Sequence, residues 1–549
     1  MKYGSDFIVK ILKKLDIEYI AYNPGATVKG LLESLARSNI KLILCCHEQI
    51  AISIAHGYAK TTGKIMAVLI HSNVGLLNAA LGIFNAWCDR VPILIINGCG
   101  PLDAEKRRPW IDWIHTSNSQ GIVVSEYVKW YDQPMSLYAV KESLCRAYAY
   151  AMTCPQAPVL LCIDCELQEM EVQVSKETME DIQKDDLLMQ LPTINNIMLE
   201  EIHNKIMAAQ NPVFIAGRIS INEKSRKLLE SLLEKFSILI VDMSERYFMQ
   251  SSNKFYWKGE IDEVLSKADL IVALEVGRID NIAEKYDRCK IYSIGMNDLL
   301  ISKWSADYQS FSVNVKRIIS DVGMFIEDWY KHSIKSKQKY KSIDISRISY
   351  ANDYFLHNMV QNQVLYKLGK ILETEKYLLT NFGSYGNEEV IRTSWNLTEE
   401  SYHLGDSGGA GLGYGLGASI GAAFGISDDQ FCVNIQSDGD FLFLPSSLWT
   451  LIHYRLPLII ILMNNLGYGN TRRHAFNISE ERGYVCLDSG SDLTNPKLDY
   501  SAIAKGFGFQ NVEKVTDIEQ IESVMKKVIK EVKKQKQPYF VEIQIEGEV

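Results

Sequence analysis

The sequence predicts an α/β fold in which three doubly wound domains are each built around a parallel sheet. Short apolar runs alternate with helix-compatible segments over most of the 549 residues, which is the pattern of successive βαβ units. The apolar runs end in polar or glycine-containing turns, where open α/β sheets bind ligands. Two charged, weakly patterned stretches, residues 176–190 and 331–350, indicate linkers between the domains.

The first predicted domain comprises residues 1–175 and begins with an amphipathic helix. Its predicted strands are Tyr19–Tyr22, Leu42–Cys46, Ile65–Ile70 and Pro92–Ile96. Polar turns follow these strands: Asn23-Pro24-Gly25, His47-Glu48, His71-Ser72-Asn73 and Asn97-Gly98. Helices are expected to start near Thr27 and at His47-Glu48. A parallel sheet would bring all these turns to one edge.

The other two domains are expected at residues 191–330 and 351–549. The second is poor in catalytic signals, and its strand candidates are Val213–Ala216, Ile238–Val241, Leu270–Leu274 and Ile291–Ile294. In the third, the strand Tyr377–Thr380 leads into a polar turn, and a glycine-rich run extends from Gly405 to Gly425. A charged helix, Ile518–Lys533, and a strand, Tyr539–Ile545, close the chain.

Residues 431–470 carry the strongest chemical signal. One apolar strand ends at Ser437-Asp438-Gly439-Asp440, and the next ends at Asn464-Asn465. Leu448, Leu451 and Ile452 have helical spacing between them, so the segment has the size of one βαβ unit. The two tips offer a carboxylate and a carboxamide oxygen, with a backbone carbonyl just beyond, and Mg²⁺ prefers such ligands. Each tip taken alone is more often an ordinary turn or strand end.

The order Asp-Gly, helix, apolar strand and Asn-Asn in residues 438–465 resembles the signature of thiamine-diphosphate-dependent enzymes. This family includes acetolactate synthase, benzoylformate decarboxylase, pyruvate decarboxylase and benzaldehyde lyase. The resemblance implies Mg²⁺ ligands at Asp438, Asn465 and the Gly467 carbonyl. The family usually has Gly where this chain has Ser437. The resemblance also implies a pyrimidine-binding first domain, a central domain, and a third domain that binds diphosphate and Mg²⁺.

Glu48 follows a predicted strand at a helix start, where the helix dipole alone also favours a carboxylate. The run HEQIAISIAHGYAKTTGK, residues 47–64, resembles the family segment that contains the activating glutamate. By this resemblance Glu48 bonds N1′ of the aminopyrimidine and favours the imino form, whose nitrogen deprotonates C2 of the thiazolium. In the family, this glutamate reaches a cofactor held mainly by the partner subunit. We therefore expect a homodimer at minimum and favour a homotetramer.

The same resemblance gives the glycine-rich run a role in cofactor binding. Leu412 would hold the cofactor in its bent form, and Gly411 would supply a backbone contact. Further cofactor contacts are expected at Asn23, Pro24, Gly25, Phe382, Gly383, Ser384, Gly439, Asp440 and Tyr468. A nicotinamide-binding alternative rests on Gly413-x-Gly415-x-x-Ala418, but that motif lacks a clear preceding strand and the acidic residue expected after it.

His71 and His115 are candidate acid–base residues because imidazole exchanges protons near neutral pH. His71-Ser72 resembles a His-Ser pair of benzoylformate decarboxylase, and His115 falls near the paired histidines of pyruvate decarboxylase. Lone histidines at strand ends are usually structural. The predicted substrate contacts are Ala26, Ser72, Trp110, Arg472 and His474. Ala26 stands where the benzoylformate branch has Ser, Trp110 and Trp113 could instead pack in a core, and the basic residues could form a solvated turn.

Composition is typical of a soluble globular protein, with 47% hydrophobic and 23% charged residues. The formal net charge of −9 gives no reason to expect nucleic-acid binding. No apolar run is long enough to span a membrane, and nothing resembles a signal peptide. The cysteines have no regular spacing, which favours a reducing compartment. We therefore expect a cytoplasmic protein.

The expected activity is that of a thiamine-diphosphate- and Mg²⁺-dependent 2-oxo acid decarboxylase or carboligase, similar to acetolactate synthase. Its partners would be a small-molecule 2-oxo acid and, for acyloin formation, an aldehyde or ketone acceptor. No FAD is expected, because the central domain shows no persuasive phosphate-binding loop. The alternatives are a C–C lyase of the 2-hydroxyacyl-CoA type and a non-catalytic regulatory subunit. A regulatory subunit would be expected to lack Glu48, Asp438 or Asn465.

Overall fold

The computed structural model describes residues 2–172, 182–219, 222–277, 279–296, 311–335, 360–384, 386–486 and 490–545. These residues form three parallel sheets with six, five and six strands. The predicted α/β fold of three doubly wound domains is therefore confirmed. In each sheet, strands buried on both faces carry continuous apolar sequences, as parallel sheets require.

The strands of the first sheet are β1 Tyr19–Tyr22, β2 Lys41–Leu44, β3 Met66–His71, β4 Ile93–Cys99, β5 Trp130–Asp132 and β6 Val159–Asp164. They are ordered β2-β1-β3-β4-β6-β5. Helices Gly4–Lys14, Lys29–Ala36 and Leu137–Met152 share one hydrophobic core with the sheet. Helices Glu48–Thr62 and Ser72–Cys88 pack in a second core on the other face. Shorter helices are Ile111–Ile114 and Cys165–Glu169.

The central sheet contains β7 Pro212–Ala216, β8 Leu239–Asp242, β9 Leu270–Leu274, β10 Lys290–Gly295 and β11 Val315–Ile319. Its strand order is β11-β10-β9-β7-β8, so the chain reverses direction across the sheet between β7 and β9. The accompanying helices are Asn196–Ala208, Glu223–Phe236, Ile261–Leu265, Ile279–Lys285 and Val322–Lys335. Such a reversal point leaves a crevice at the carboxyl ends of the strands.

The third sheet contains β12 Tyr377–Asn381, β13 Tyr402–His403, β14 Phe431–Ser437, β15 Leu458–Asn464, β16 Val512–Val515 and β17 Tyr539–Gln544. The order β13-β12-β14-β15-β17-β16 is equivalent to that of the first sheet, strand for strand. The helices are Val360–Leu372, Asn387–Ser394, Tyr414–Ala423, Asp438–Phe441, Ser447–Tyr454, Gly469–Glu481, Tyr500–Gly506 and Ile521–Gln535.

The first and third domains join through two closely packed helices, Glu48–Thr62 and Tyr414–Ala423. Glycine allows this approach: a Cβ on Gly57 would lie 1.9 Å from the Ala418 carbonyl oxygen, and one on Gly421 would lie 1.9 Å from the Ile54 oxygen. One hydrophobic core contains residues of both domains. The glycine-rich run therefore serves helix–helix contact as well as the turn before it.

Several sequence-based boundaries are corrected by the structure. Helix Val322–Lys335 extends into the predicted linker 331–350, and Ile182 of the predicted linker 176–190 packs in the first core. The rest of both linkers, residues 176–181 and 336–350, lies outside the described residues. A short 3₁₀ turn, Ala26–Val28, precedes the helix expected near Thr27. Within the described residues, no helix is long and apolar enough to cross a membrane.

Candidate active site

The two polar tips of the third domain lie side by side because β14 and β15 are neighbouring parallel strands, with Ser437 in register with Met463. Asp438 follows β14, and Asn465 follows β15. The amide of Gly467 donates to Asp438 Oδ2 at 3.0 Å and to Asn465 Oδ1 at 3.3 Å. The structure thus brings together the three residues that the sequence predicts as Mg²⁺ ligands.

Asp438 is fully buried. Burial raises the pKa of its carboxyl group to about 6, although the amides of Gly467 and Gly439 lower it. Within the described part of the chain it forms no ion pair, so a bound cation would stabilise its charged form. The candidate ligand atoms of Asp438, Asn465 and Gly467 are all oxygens, which suits Mg²⁺. The described residues hold no cluster of three or more His, Cys, Asp or Glu side chains that could bind a metal instead.

A cavity of about 740 Å³ opens beside these residues and reaches all three domains. It is lined by most of the predicted third-domain contacts: Phe382, Gly383, Ser384, Gly411, Leu412, Gly439, Asp440, Asn465, Gly467 and Tyr468. The first domain adds Asp89 and Arg90, and the central domain adds Arg218 and Asn281. Sequence reasoning missed these four residues. The volume is that of a pocket for a small-molecule ligand or cofactor.

Asn85 of the first domain binds the backbone of Gly411. Its Oδ1 accepts from the Gly411 amide at 3.0 Å, and its Nδ2 donates to the Gly411 carbonyl at 3.0 Å. Both backbone groups of Gly411 are therefore engaged within the chain. Ala410, a non-glycine residue with a φ of 52°, lines the cavity beside it. Strain of this kind persists where the surrounding structure fixes the backbone.

Leu412 is anchored on both sides. Its carbonyl accepts a hydrogen bond from Gln49 Nε2 at 2.9 Å, and the next amide, of Gly413, donates to Asp440 Oδ1 at 2.6 Å. The Leu412 side chain itself is 40% exposed, although it is large and apolar. A fixed backbone with an uncovered apolar side chain is suited to contact with a ligand or another chain.

Glu48 is the first residue of helix Glu48–Thr62, after the N-cap His47. It is buried, and its Oε2 accepts a hydrogen bond from Asn78 Nδ2 at 3.0 Å. A Cβ on Gly75 would lie only 3.1 Å from Glu48 Oε1, so the glycine makes room for the carboxylate. Glu48 is therefore held by specific contacts with the helix Ser72–Cys88 and is more than a residue favoured by the helix dipole.

The structure brings His71 and His115 together at the end of β3. His71 Nε2 lies 3.1 Å from His115 Nδ1, and His71 Nδ1 lies 2.8 Å from the hydroxyl oxygen of Thr27. A Cβ on Gly25 would lie 2.3 Å from His71 Cβ, so the turn after β1 packs against this ring. Burial and the neighbouring His115 lower the pKa of His71, whereas Glu48 raises it.

The other predicted contacts are less closely grouped. Asn23 Nδ2 donates to the Cys45 carbonyl at 2.9 Å, and Pro24 and Ala26 flank Gly25 in the same turn. Ser72 is buried, and its hydroxyl donates to Gln120 Oε1 at 3.3 Å.

The predicted aromatic and basic contacts lie towards the surface. Trp110 and Trp113 are 71% and 75% exposed, so neither packs in a core of this chain. Arg472 forms an ion pair with Asp492, and His474 is exposed. Arg473, a neighbour of both, lines the cavity.

The candidate residues thus fall into two groups within one chain. Among the residues that the structure describes, Glu48, His71 and His115 do not line the cavity. The Mg²⁺ candidates and the glycine-rich segment form one group at the third domain, and Glu48 and the two histidines form another at the first domain.

Two family models match this chain. Residues 2–121 match the model of the thiamine pyrophosphate enzyme N-terminal TPP binding domain, and residues 386–543 match that of the C-terminal TPP binding domain. The chain belongs to the thiamine-diphosphate-dependent enzyme family. Its cofactor is therefore thiamine diphosphate, and the two matched regions contain the two groups of candidate residues.

Among curated members of this family, the chain is 22% identical to the acetolactate synthase large subunit of Haemophilus influenzae, covering 95% of this chain and 91% of that protein. It is also 22% identical to the Lactococcus lactis large subunit, covering 93% and 88%. Two solved structures share the fold over nearly the whole of both chains. They are a thiamine diphosphate-dependent 4-hydroxybenzoylformate decarboxylase of Rhodococcus jostii and a benzoylformate decarboxylase of Polynucleobacter necessarius, each with a TM-score of 0.80 and with identities of 17% and 19%. The chain is thus an acetolactate-synthase-like member at low identity.

Proposed function

We propose that this thiamine-diphosphate enzyme uses Mg²⁺ and acts on a 2-oxo acid, releasing CO₂ and either protonating the remaining fragment or joining it to an aldehyde or ketone. The observation that carries the proposal is the convergence of Asp438, Asn465 and Gly467 beside a cavity of about 740 Å³. The similarity to acetolactate synthases supports carboligation, and the decarboxylase structures share the fold.

The residues present fit the implied groups. Asp438, Asn465 and the Gly467 carbonyl would hold Mg²⁺, because Asp438 is a buried carboxylate whose charge needs a partner. The cavity beside them would hold the diphosphate, and Leu412 would contact the rings. When bound, thiamine diphosphate supplies a nucleophilic C2 and an acceptor for the electrons of the broken C–C bond. FAD is not part of the proposal, and a flavin absorbance in the purified protein would contradict it.

Glu48 would hold a proton at the aminopyrimidine nitrogen, and its neighbours suit this task. Asn78 fixes one carboxylate oxygen, and Gly75, which has no side chain, leaves room for the other. A buried carboxyl group in a fixed orientation transfers protons with little reorganisation. A non-catalytic subunit would be expected to lack Glu48, Asp438 or Asn465, and all three are present.

The two groups of candidate residues would form one site in a homodimer. Large apolar side chains are exposed on the first domain, on helix Ser72–Cys88 and on the segment after β4: Val74, Leu77, Leu81, Trp110, Trp113, Ile114, Ile122 and Val123. The first three lie on one face of helix Ser72–Cys88. A second copy covering this face would bring its own cavity and Leu412 to Glu48. The expected homotetramer would be a pair of such dimers.

The substitution Leu77→Asp should therefore separate the dimer. Leu77 is 60% exposed, so the change should leave the folded monomer intact while placing a charge in the interface. We expect the dissociation constant to rise at least about 100-fold, with a parallel loss of activity at low protein concentration. Light scattering after gel filtration measures the mass directly.

The matched control is Ile197→Asp, because Ile197 is 81% exposed on the central domain. That variant should keep the mass of the wild-type protein. Unchanged dimerisation of Leu77→Asp would exclude this face as the interface.

Mg²⁺ and a proton should compete for Asp438. Burial raises the pKa of its carboxyl group to about 6, so the metal-free protein holds a proton there below that pH. The Mg²⁺-dependent affinity for thiamine diphosphate should then be level above about pH 7 and fall about tenfold for each pH unit below about 6. The same raised pKa stabilises the metal-free fold as the pH falls from about 6 to about 4. Calorimetric titrations between pH 5 and 8 test this, and a flat profile would contradict it.

The reaction class is tested by incubating the holoenzyme with pyruvate and a panel of 2-oxo acids, with and without aldehyde acceptors. CO₂ release with acyloin formation would support the carboligase, and CO₂ with free aldehyde would support the decarboxylase. Cleavage of a 2-hydroxyacyl-CoA without turnover of any 2-oxo acid would replace the proposal by the lyase alternative. Protein that binds cofactor and Mg²⁺ but turns over none of these substrates would contradict the proposal.

A further inference from the structure

Both ring nitrogens of His71 are already engaged within the first domain. Nδ1 lies 2.8 Å from the Thr27 hydroxyl oxygen, and Nε2 lies 3.1 Å from His115 Nδ1. His71 therefore has no nitrogen left for a substrate in this arrangement. The outer nitrogen of the pair is His115 Nε2, which makes no hydrogen bond with the described residues, on a ring that is partly exposed.

The Thr27 hydroxyl determines which nitrogen of the His71 ring carries the proton. Its side chain is 1% exposed, and its hydroxyl makes no other hydrogen bond with the residues described. If the hydroxyl accepted from His71 Nδ1, its own proton would be buried without an acceptor, which is costly. The favoured arrangement has Thr27 donating to His71 Nδ1, so the proton of the neutral His71 ring is on Nε2.

The direction of the Thr27–His71 hydrogen bond fixes the direction of the His71–His115 hydrogen bond. A protonated His71 Nε2 donates to His115 Nδ1, which must then be the bare nitrogen of a neutral His115 ring. The proton of His115 is therefore on Nε2, at the open end. The hydrogen bond made by one ring nitrogen commonly sets which nitrogen of a histidine carries the proton.

We propose that Thr27 and His71 position His115, and that the Nε2–H of His115 is the hydrogen-bond donor that this domain offers to an oxygen of the substrate. His115 is then the catalytic residue of the pair, and Thr27 and His71 are positioning residues. The use of this donor on a 2-oxo acid rests on the proposed function. The order of the protons does not, because it follows from Thr27, His71 and His115 alone.

The protonation pattern can be read in the apo-protein, without cofactor or substrate. Nitrogen–proton correlation spectra of protein labelled with ¹⁵N-histidine identify the protonated nitrogen of each ring, and His71→Gln and His115→Gln assign the signals. We expect protonated Nε2 and bare Nδ1 on both rings. Thr27→Val keeps the shape of the side chain but removes the hydroxyl, and should abolish the preference of His71. Thr27→Ser keeps the hydroxyl and should restore it.

Kinetics then test the use of the donor. His115→Gln should lower kcat about 100-fold, and Thr27→Val should lower it about tenfold with little change in KM, whereas Thr27→Ser should stay within about twofold of the wild type. A His71 ring protonated on Nδ1 in the wild-type protein, or spectra unchanged in Thr27→Val, would overturn the positioning role. Full turnover by His115→Gln would overturn the donor role. If the wild type turned over no 2-oxo acid, the proposed function would fail while the spectra still decided the proton order.

Discussion

Replacing Glu48 by Gln should abolish turnover and leave the binding of thiamine diphosphate and Mg²⁺ within about threefold of the wild type. Glutamine fits the same space beside Gly75, and its oxygen can still accept from Asn78. It cannot exchange a proton with the aminopyrimidine, so kcat should fall by about a thousandfold or more. Single-turnover kinetics and calorimetry on the same preparation separate the chemical step from binding.

The control for this variant is Glu33→Gln, which removes an exposed carboxylate from helix Lys29–Ala36 of the same domain. That change should alter neither turnover nor binding, because exposed ion pairs contribute little. Wild-type activity in Glu48→Gln would remove Glu48 from the activating role.

Asp438→Asn should have opposite effects on the metal-free and the loaded protein. Loss of the carboxylate charge should weaken Mg²⁺-dependent binding of thiamine diphosphate at least about 100-fold, because the remaining ligands are neutral oxygens. In the metal-free protein, burial raises the pKa of Asp438 to about 6, so ionisation at neutral pH costs folding free energy. Replacing it by the neutral amide should therefore raise the free energy of unfolding by up to about 3 kcal/mol.

Thermal unfolding with and without cofactor and Mg²⁺ measures both effects in one experiment. The control is Asp428→Asn, at an exposed carboxylate of the same domain. It should leave the unfolding temperature unchanged both with and without cofactor and Mg²⁺. If Asp438→Asn lowered the stability of the metal-free protein and left the loaded protein unaffected, Asp438 would be a structural residue and not a ligand.

The parts of the molecule that could be predicted from sequence are those set by short-range pattern. The runs at β1 and β14 are apolar and end in turn residues, so both the strands and their carboxyl-end turns were predictable. The turn predicted at Asn97-Gly98 was wrong, because both residues lie within β4. The placement of Asp438 beside Asn465 also followed, because a parallel βαβ unit brings its two strand ends together. Very short edge strands such as Trp130–Asp132 and Tyr402–His403 carry no detectable period and were not predicted.

What the sequence could not predict are contacts between elements far apart in the chain. The hydrogen bonds of Asn85 with Gly411 and of Gln49 with Leu412 join two domains across more than half of the sequence. The pairing of His115 with His71 depends on how the loop after β4 folds back over the sheet. Thr27 had no signal at all beyond its place after Asn-Pro-Gly, because a threonine hydroxyl acquires a role only through the ring it meets.

We propose that one active site needs Glu48 of one copy and Asp438 of the other. Glu48→Gln and Asp438→Ala, each inactive alone, are co-expressed with different tags and assayed as a random mixture. One of the two sites of each mixed dimer then has both residues, so the mixture should recover about a quarter of the wild-type activity. Activity no higher than that of either variant alone would contradict a shared site and would mean that each chain works with its own Glu48.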